Sequence, residues 1–103
     1  MVKMTRSVAE VMLGDVSEEK RFWCNDGRYL KNLDELKDAL ELMTEETFRY
    51  HASETKTDFS NWVKDVIGDE KLSRDLLKST TKEQAARMVA ERVRWLKGKL
   101  GTV

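Results

Sequence analysis

With 103 residues, no proline and 37% charged side chains, the chain suits a single helix-rich domain with a modest core. Nineteen basic and nineteen acidic residues balance to zero, which argues against a surface that attracts nucleic acid everywhere. The lone Cys24 cannot form an internal disulfide and no Cys and His cluster suggests zinc, so a reducing cytoplasm is expected and no metal or cofactor.

Met1–Gly14 lacks the continuous apolar core of a signal peptide, and no later run approaches the ~20 apolar residues of a membrane span. No membrane contact is therefore expected. Ser7-Val-Ala-Glu10 has the form of a capping box, a hydroxyl followed three residues on by a carboxylate. Val8, Val11 and Met12 then make a short apolar stripe, and Gly14 is a suitable stop. Residues 1–20 read as an N-terminal helix and connector, and residues 21–100 as the main body of one domain spanning 1–103.

Residues 21–31 read as a hairpin. Aromatic and apolar residues flank Asn25-Asp26-Gly27, where glycine supplies a positive φ. Alternation puts Phe22 and Cys24 on one face and Trp23 on the other. So short a hairpin persists only when packed on helices.

Asn32 is placed to cap the next helix, with Glu35 completing a capping box and Leu33, Leu36, Leu40 and Met43 along one face. Thr44 starts a shorter helix on which Phe48, His51 and Ala52 share a side, and residues 53–57 form a polar loop. The clearest periodicity follows. From a cap at Thr57 or Asp58, Phe59, Trp62, Val63, Val66 and Ile67 fall on one continuous helix face. Gly68 ends that helix and Asp69 caps the next, which points Leu72, Leu76 and Leu77 inward. Thr80-Thr-Lys-Glu83 opens a last helix with Ala86, Val89, Val93, Leu96 and Leu100 on one side.

The order Phe22…Asp26-Gly27…Leu33-x2-Leu36-x3-Leu40-x2-Met43-x4-Phe48-x2-His51…Asp58-Phe59-x2-Trp62-Val63-x2-Val66…Gly68-Asp69-x2-Leu72 resembles a family of small archaeal and bacterial proteins. Its members stand alone or form a terminal module of a larger protein. The resemblance runs from Phe22 to Leu96, and its His…Asp-Phe-x-x-Trp core is the specific part. It implies a shared fold and cytoplasmic residence, and no particular chemistry. The chain has Thr57 where the family pattern has asparagine and Ser73 where it has alanine.

His51 is the one histidine, and a general base needs an orienting carboxylate and a nucleophile. Asp58, Asp65 and Asp69 supply carboxylates, and Ser60 and Cys24 supply nucleophiles. The plainer reading pairs His51 with Asp58 or a helix end as a structural contact, with Asp58 serving as a helix cap. Asp65-x3-Asp69-Glu70 straddles a helix break, where surface acids are far commoner than a cation site. No phosphate-binding glycine loop or nucleophile elbow occurs, and the sequence points away from an enzyme.

Charge is unevenly spread. Between Asn32 and Glu46, Asp34, Glu35, Asp38, Glu41, Glu45 and Glu46 face only Lys37. From Ser79 onward, Lys82, Arg87, Arg92, Arg94, Lys97 and Lys99 face only Glu83 and Glu91. Such a dipole can steer a partner, or simply mark two solvated helix faces. Trp62 lies on an apolar face, whereas Trp23 and Trp95 lie off theirs and are candidate contacts. Arg92, Arg94 and Lys97 around Trp95 suit phosphates and a stacked base, although a pI near 6.6 argues against that use.

The expected fold is mainly α, a compact bundle of five to six short helices with one small hairpin. Its expected core is Phe22, Leu33, Leu36, Leu40, Met43, Phe48, Phe59, Trp62, Val63, Val66, Ile67, Leu72, Leu76, Val89, Val93 and Leu96. The expected function is a non-catalytic binding or adaptor module that presents the hairpin and the basic C-terminal helix to a protein partner, with self-association through the last helix as part of that reading. Candidate binding residues are Trp23, Arg92, Arg94, Trp95 and Lys97, and the candidate structural polar site is His51 with Asp58. Nucleic-acid binding by the last helix, and a small enzyme or ligand-binding domain centred on His51, are the alternatives.

Overall fold

A computed structural model describes residues 4–101. The first three residues of the expected N-terminal segment, and Thr102 and Val103 of the expected domain, lie outside them. Helix α1 is Arg6–Leu13, strands β1 and β2 are Phe22–Trp23 and Tyr29–Leu30, and helices α2 and α3 are Leu33–Leu42 and Glu45–His51. Helix α4, Asp58–Trp62, passes into a π-helical turn at Val63–Ile67, and α5, Glu70–Lys78, leads to α6, Lys82–Gly98. The chain is thus a mainly α-helical bundle carrying one antiparallel hairpin, with Phe22 opposite Leu30 and Trp23 opposite Tyr29.

The helix starts follow cap chemistry, with three shifts from the sequence reading. Thr5 rather than Ser7 caps α1, its hydroxyl accepting the Val8 N–H at 3.2 Å. That moves the inward face to Ala9 and leaves Val11 74% exposed. At α6 the box sits one residue later than Thr80 and Glu83. Thr81 accepts from the Gln84 N–H at 3.0 Å, and the Gln84 carbonyl oxygen accepts from the Thr80 N–H at 2.8 Å. At α2, Asn32 caps as expected, but the Glu35 carboxylate reaches back to the Lys31 N–H at 2.9 Å. The logic of satisfying free N–H groups holds throughout, while the residue that does so shifts by one or two.

Helix α6 runs against α2 in antiparallel fashion, and α1 and α5 flank it. Lys97 meets Asp34 at 3.3 Å near one end of the pair, and Lys82 donates to the Glu41 carbonyl at 3.4 Å near the other. The basic and acidic stretches of the sequence are therefore neighbours, and part of their charge is satisfied within the chain. The expected apolar stripe of α6 is also used internally, with Ala86, Val89, Val93 and Leu96 all buried. Among the described residues no helix is long and apolar enough to cross a membrane.

Every expected core residue is buried except Val66, which is half-buried at the core's edge. Leu77, expected inside, is 56% exposed. Ser73 takes the inward position instead. Its hydroxyl donates to the Ser60 carbonyl at 3.0 Å, the Ser60 hydroxyl donates to the Ser73 carbonyl at 2.8 Å, and α4 is thereby joined to α5. Ser73 is thus a bonded interhelical contact. The π-helical turn was not signalled by periodicity. Gly68, at φ 87°, closes it by donating its N–H to the Val63 carbonyl at 2.8 Å.

Candidate functional site

The hairpin is held by its aromatic floor and by one histidine. Phe22 enters the core against His51, Phe59 and Trp62, with ring centroids 4.9, 5.1 and 5.8 Å away. Trp62 donates its indole N–H to the Lys20 carbonyl at 2.8 Å, fixing the connector that enters β1. His51 is buried at the end of α3. Its Nε2 accepts the Asn25 N–H from the hairpin turn at 2.9 Å. The ring proton therefore sits on Nδ1, which donates to Asp58 Oδ2 at 3.0 Å. The lone pair that a general base needs is already occupied, and the ring is 1% exposed. Asp58 also meets Lys56 at 3.3 Å. It stands one residue inside α4 and orients the imidazole, so the cap expected of it is not made.

Beyond this anchor the hairpin turn is tight and charged. Gly27 takes φ 99°, and Arg28 clasps Asp26 through Nη2 at 2.6 Å and Nε at 3.0 Å. That guanidinium brings the Asp26 carboxyl down to about 2. Cys24 lies beneath the turn, where burial pushes its thiol up and suppresses the thiolate.

On the outward face, Trp23 and Tyr29 are cross-strand neighbours, 46% and 63% exposed. Tyr50 from α3 meets Trp23 edge to face with centroids 6.0 Å apart, and Lys56 lies 3.8 Å from the Tyr50 ring centre. Three exposed aromatic side chains, two from the strands and one from α3, thus gather around the clamped hairpin. Trp23 alone was marked by its alternation. Tyr29 and Tyr50 were missed because tyrosine at an off-face position is common and only the hairpin docking on α3 makes them neighbours.

The residues of the basic helix are placed differently. Arg92 forms a bidentate pair with Asp69, Nε to Oδ2 at 2.7 Å and Nη2 to Oδ1 at 3.0 Å, with both side chains largely buried. Asp69 also caps α5 by accepting the Leu72 N–H at 3.1 Å, so its two oxygens are committed. Trp95 is 42% exposed and stacks near Arg92 at 4.4 Å and Lys99 at 4.9 Å. Lys97 is paired with Asp34, and Arg94 is exposed. Sequence proximity gathered these residues as one patch, and the fold divides them between a buried link and the surface.

A groove of about 560 Å³ opens between α3, the loop at 53–57 and the junction of α5 with α6. Phe48, Phe59, Leu76 and Ala85 line it, with Arg49 and Glu54 among its charged residues. It was invisible in the sequence because its walls come from four segments, each of which reads as ordinary core or loop. Among the described residues, no three His, Cys, Asp or Glu side chains come together as a metal site. No family model, no curated protein and no solved structure matches this chain.

Proposed function

We propose that this domain is a non-catalytic protein-binding module that presents its hairpin face to a partner, a second copy of the chain being one such partner. The observation that carries the reading is the gathering of Trp23 and Tyr29 of the hairpin with Tyr50 of α3, each close to half exposed or more, around a hairpin held by His51. Large rigid aromatics lose little conformational entropy on binding and dominate interface energetics. Membership of the small archaeal and bacterial family remains part of the proposal, resting on the His51…Asp58-Phe59-x2-Trp62 pattern, which here forms one contiguous anchor. Cytoplasmic residence rests on the lone cysteine.

The nucleic-acid alternative draws support from exposed Arg94 and from Lys99 beside Trp95, but Arg92 and Lys97 are engaged by Asp69 and Asp34. The enzyme alternative has less, since both ring nitrogens of His51 are bonded. The deciding experiment is affinity capture from native lysate at low and high salt, with and without nuclease, comparing the natural chain with Trp23→Ala and Tyr50→Ala. Proteins that survive nuclease and high salt, and are lost with both variants while circular dichroism stays unchanged, support the module. Captured proteins indifferent to both substitutions overturn the hairpin reading. Nucleic acid recovered at low salt and lost with Arg94→Gln puts α6 in its place.

A further inference from the structure

The ladder leaves one backbone pair of β2 open. Cys24 donates its N–H to the Arg28 carbonyl across the hairpin at 2.8 Å, and Phe22 pairs with Leu30. Antiparallel alternation therefore turns the N–H and C=O of Tyr29 away from β1. Neither group has a hydrogen-bond partner among the described residues. The next outward carbonyl along the same edge, that of Lys31, already accepts the Val16 N–H at 2.8 Å. The connector thus occupies one end of this edge and leaves the position at Tyr29 free.

Beside that position lies a cleft of about 250 Å³ between β2 and α2. Leu30 and Ala39, both nearly inaccessible, provide apolar lining, and Arg28, Tyr29, Glu35 and Asp38 complete it. The one base there, Arg28, is held by Asp26. The Asp38 side chain is 62% exposed and, among the described residues, pairs with Lys37 alone, at 3.3 Å. Asp38 foremost, with Glu41 and Asp34, holds Lys37 above its ordinary value. Of the charged side chains that line the cleft, Glu35 and Asp38 are acidic, and the basic one, Arg28, is already paired.

We infer that the β2 edge receives an extended segment bearing lysine or arginine, which adds as a third strand. Its backbone meets the outward groups of Tyr29. Its inward side chain enters the cleft beside Tyr29 and brings its cationic head to Asp38 and Glu35. Alternate side chains of the same strand fall beside Tyr29 and Trp23 on the aromatic face. This inference rests on the hairpin-binding reading and names the chemistry of the partner.

The probe is a synthetic peptide, Thr-Lys-Val-Lys-Val-Lys-Thr, titrated into the isotope-labelled chain and followed by amide chemical shifts. Two controls replace its lysines with glutamate or the valines beside its central lysine with proline, reversing the charge or removing backbone donors respectively. The lysine peptide is expected to shift the Tyr29 amide and those of Glu35 and Asp38, and both controls to bind at least about ten-fold more weakly. Asp38→Lys, a substitution at an exposed position, is expected to weaken the lysine peptide by a similar factor. No shift at Tyr29, equal binding by the glutamate peptide, or indifference to Asp38→Lys overturns the basic-strand inference. Those results leave the aromatic face to its own test, because capture that depends on Trp23 and Tyr50 needs no basic strand.

Discussion

Two buried polar links join the parts of this domain, and they differ in kind. Asp69 and Arg92 tie the start of α5 to the middle of α6 through two charged hydrogen bonds, with side chains 1% and 10% exposed. His51 ties α3 to the hairpin and to α4 through one bond to a backbone N–H and one to Asp58, whose side chain is 31% exposed. The first link buries charge on both sides, whereas the second reaches the surface through its carboxylate. Breaking a buried pair strands an ion, and breaking the histidine link strands a neutral N–H. The expected consequence is global loss of stability in one case and local release of the hairpin in the other.

The sharpest way to break this contrast is Arg92→Met. It leaves Asp69 buried and uncompensated, and is expected to cost about 3–5 kcal/mol in denaturant unfolding. Adding Asp69→Ser keeps an α5 cap and removes the stranded charge, so the double variant is expected to regain much of that loss. A double variant no better than Arg92→Met alone would show that packing, rather than charge, sets the cost. Next in size is His51→Phe, which retains a ring against Phe22 and Phe59 while deleting both hydrogen bonds. A loss of about 1–3 kcal/mol is expected, together with faster hydrogen exchange at the Asn25 amide. Unchanged exchange there would remove His51 as the hairpin's anchor.

Ser73→Ala deletes the donor to the Ser60 carbonyl, at an expected cost of about 0.5–1.5 kcal/mol. The smallest effect belongs to Asp26. Its carboxyl lies near 2 in the folded chain against an ordinary 3.8, because Arg28 favours the charged form. Its contribution is therefore complete above pH 3.8 and is lost as pH falls through about 2. At the surface that contribution is screened to less than about 1 kcal/mol. Asp26→Asn should abolish this acid-dependent component in a pH series of unfolding curves, and a variant with the natural chain's full acid slope would assign it elsewhere.

The two exposed tryptophans extend the comparison to function. Trp23 and Trp95 are similarly exposed, at 46% and 42%, yet Trp95 covers a guanidinium already bound to Asp69. Trp23 stands among Tyr29 and Tyr50 beside an unpaired strand edge. Exposure alone does not distinguish a contact residue from the cover of a buried ion pair; the commitments of its neighbours do.

Much of the fold was legible in the chain. Offsets of three and four placed Leu33, Leu36, Leu40, Phe59, Trp62 and Val63 in the core, and Asn25-Asp26-Gly27 marked the turn, because both depend on backbone geometry over a few residues. Cap identity was legible only to within a residue or two, since neighbouring Thr80 and Thr81, or Thr5 and Ser7, offer nearly equivalent oxygens. Leu77 was misplaced because it lies about 100° beyond Leu76 around the helix, at the edge of the face that Leu72, Ser73 and Leu76 bury.

The site was less legible. Trp23 and the pairing of His51 with Asp58 followed from alternation and from a short separation along the chain. The bond from Asn25 to His51, the pair between Asp69 and Arg92, and the company of Tyr29 and Tyr50 join residues far apart in sequence. By itself the sequence determined which residues become helix, turn and core, because those preferences are local and periodic. Tertiary packing alone decided which charges are spent inside and which aromatics stand together, because hydrogen bonding and burial depend on neighbours that only the closed chain supplies.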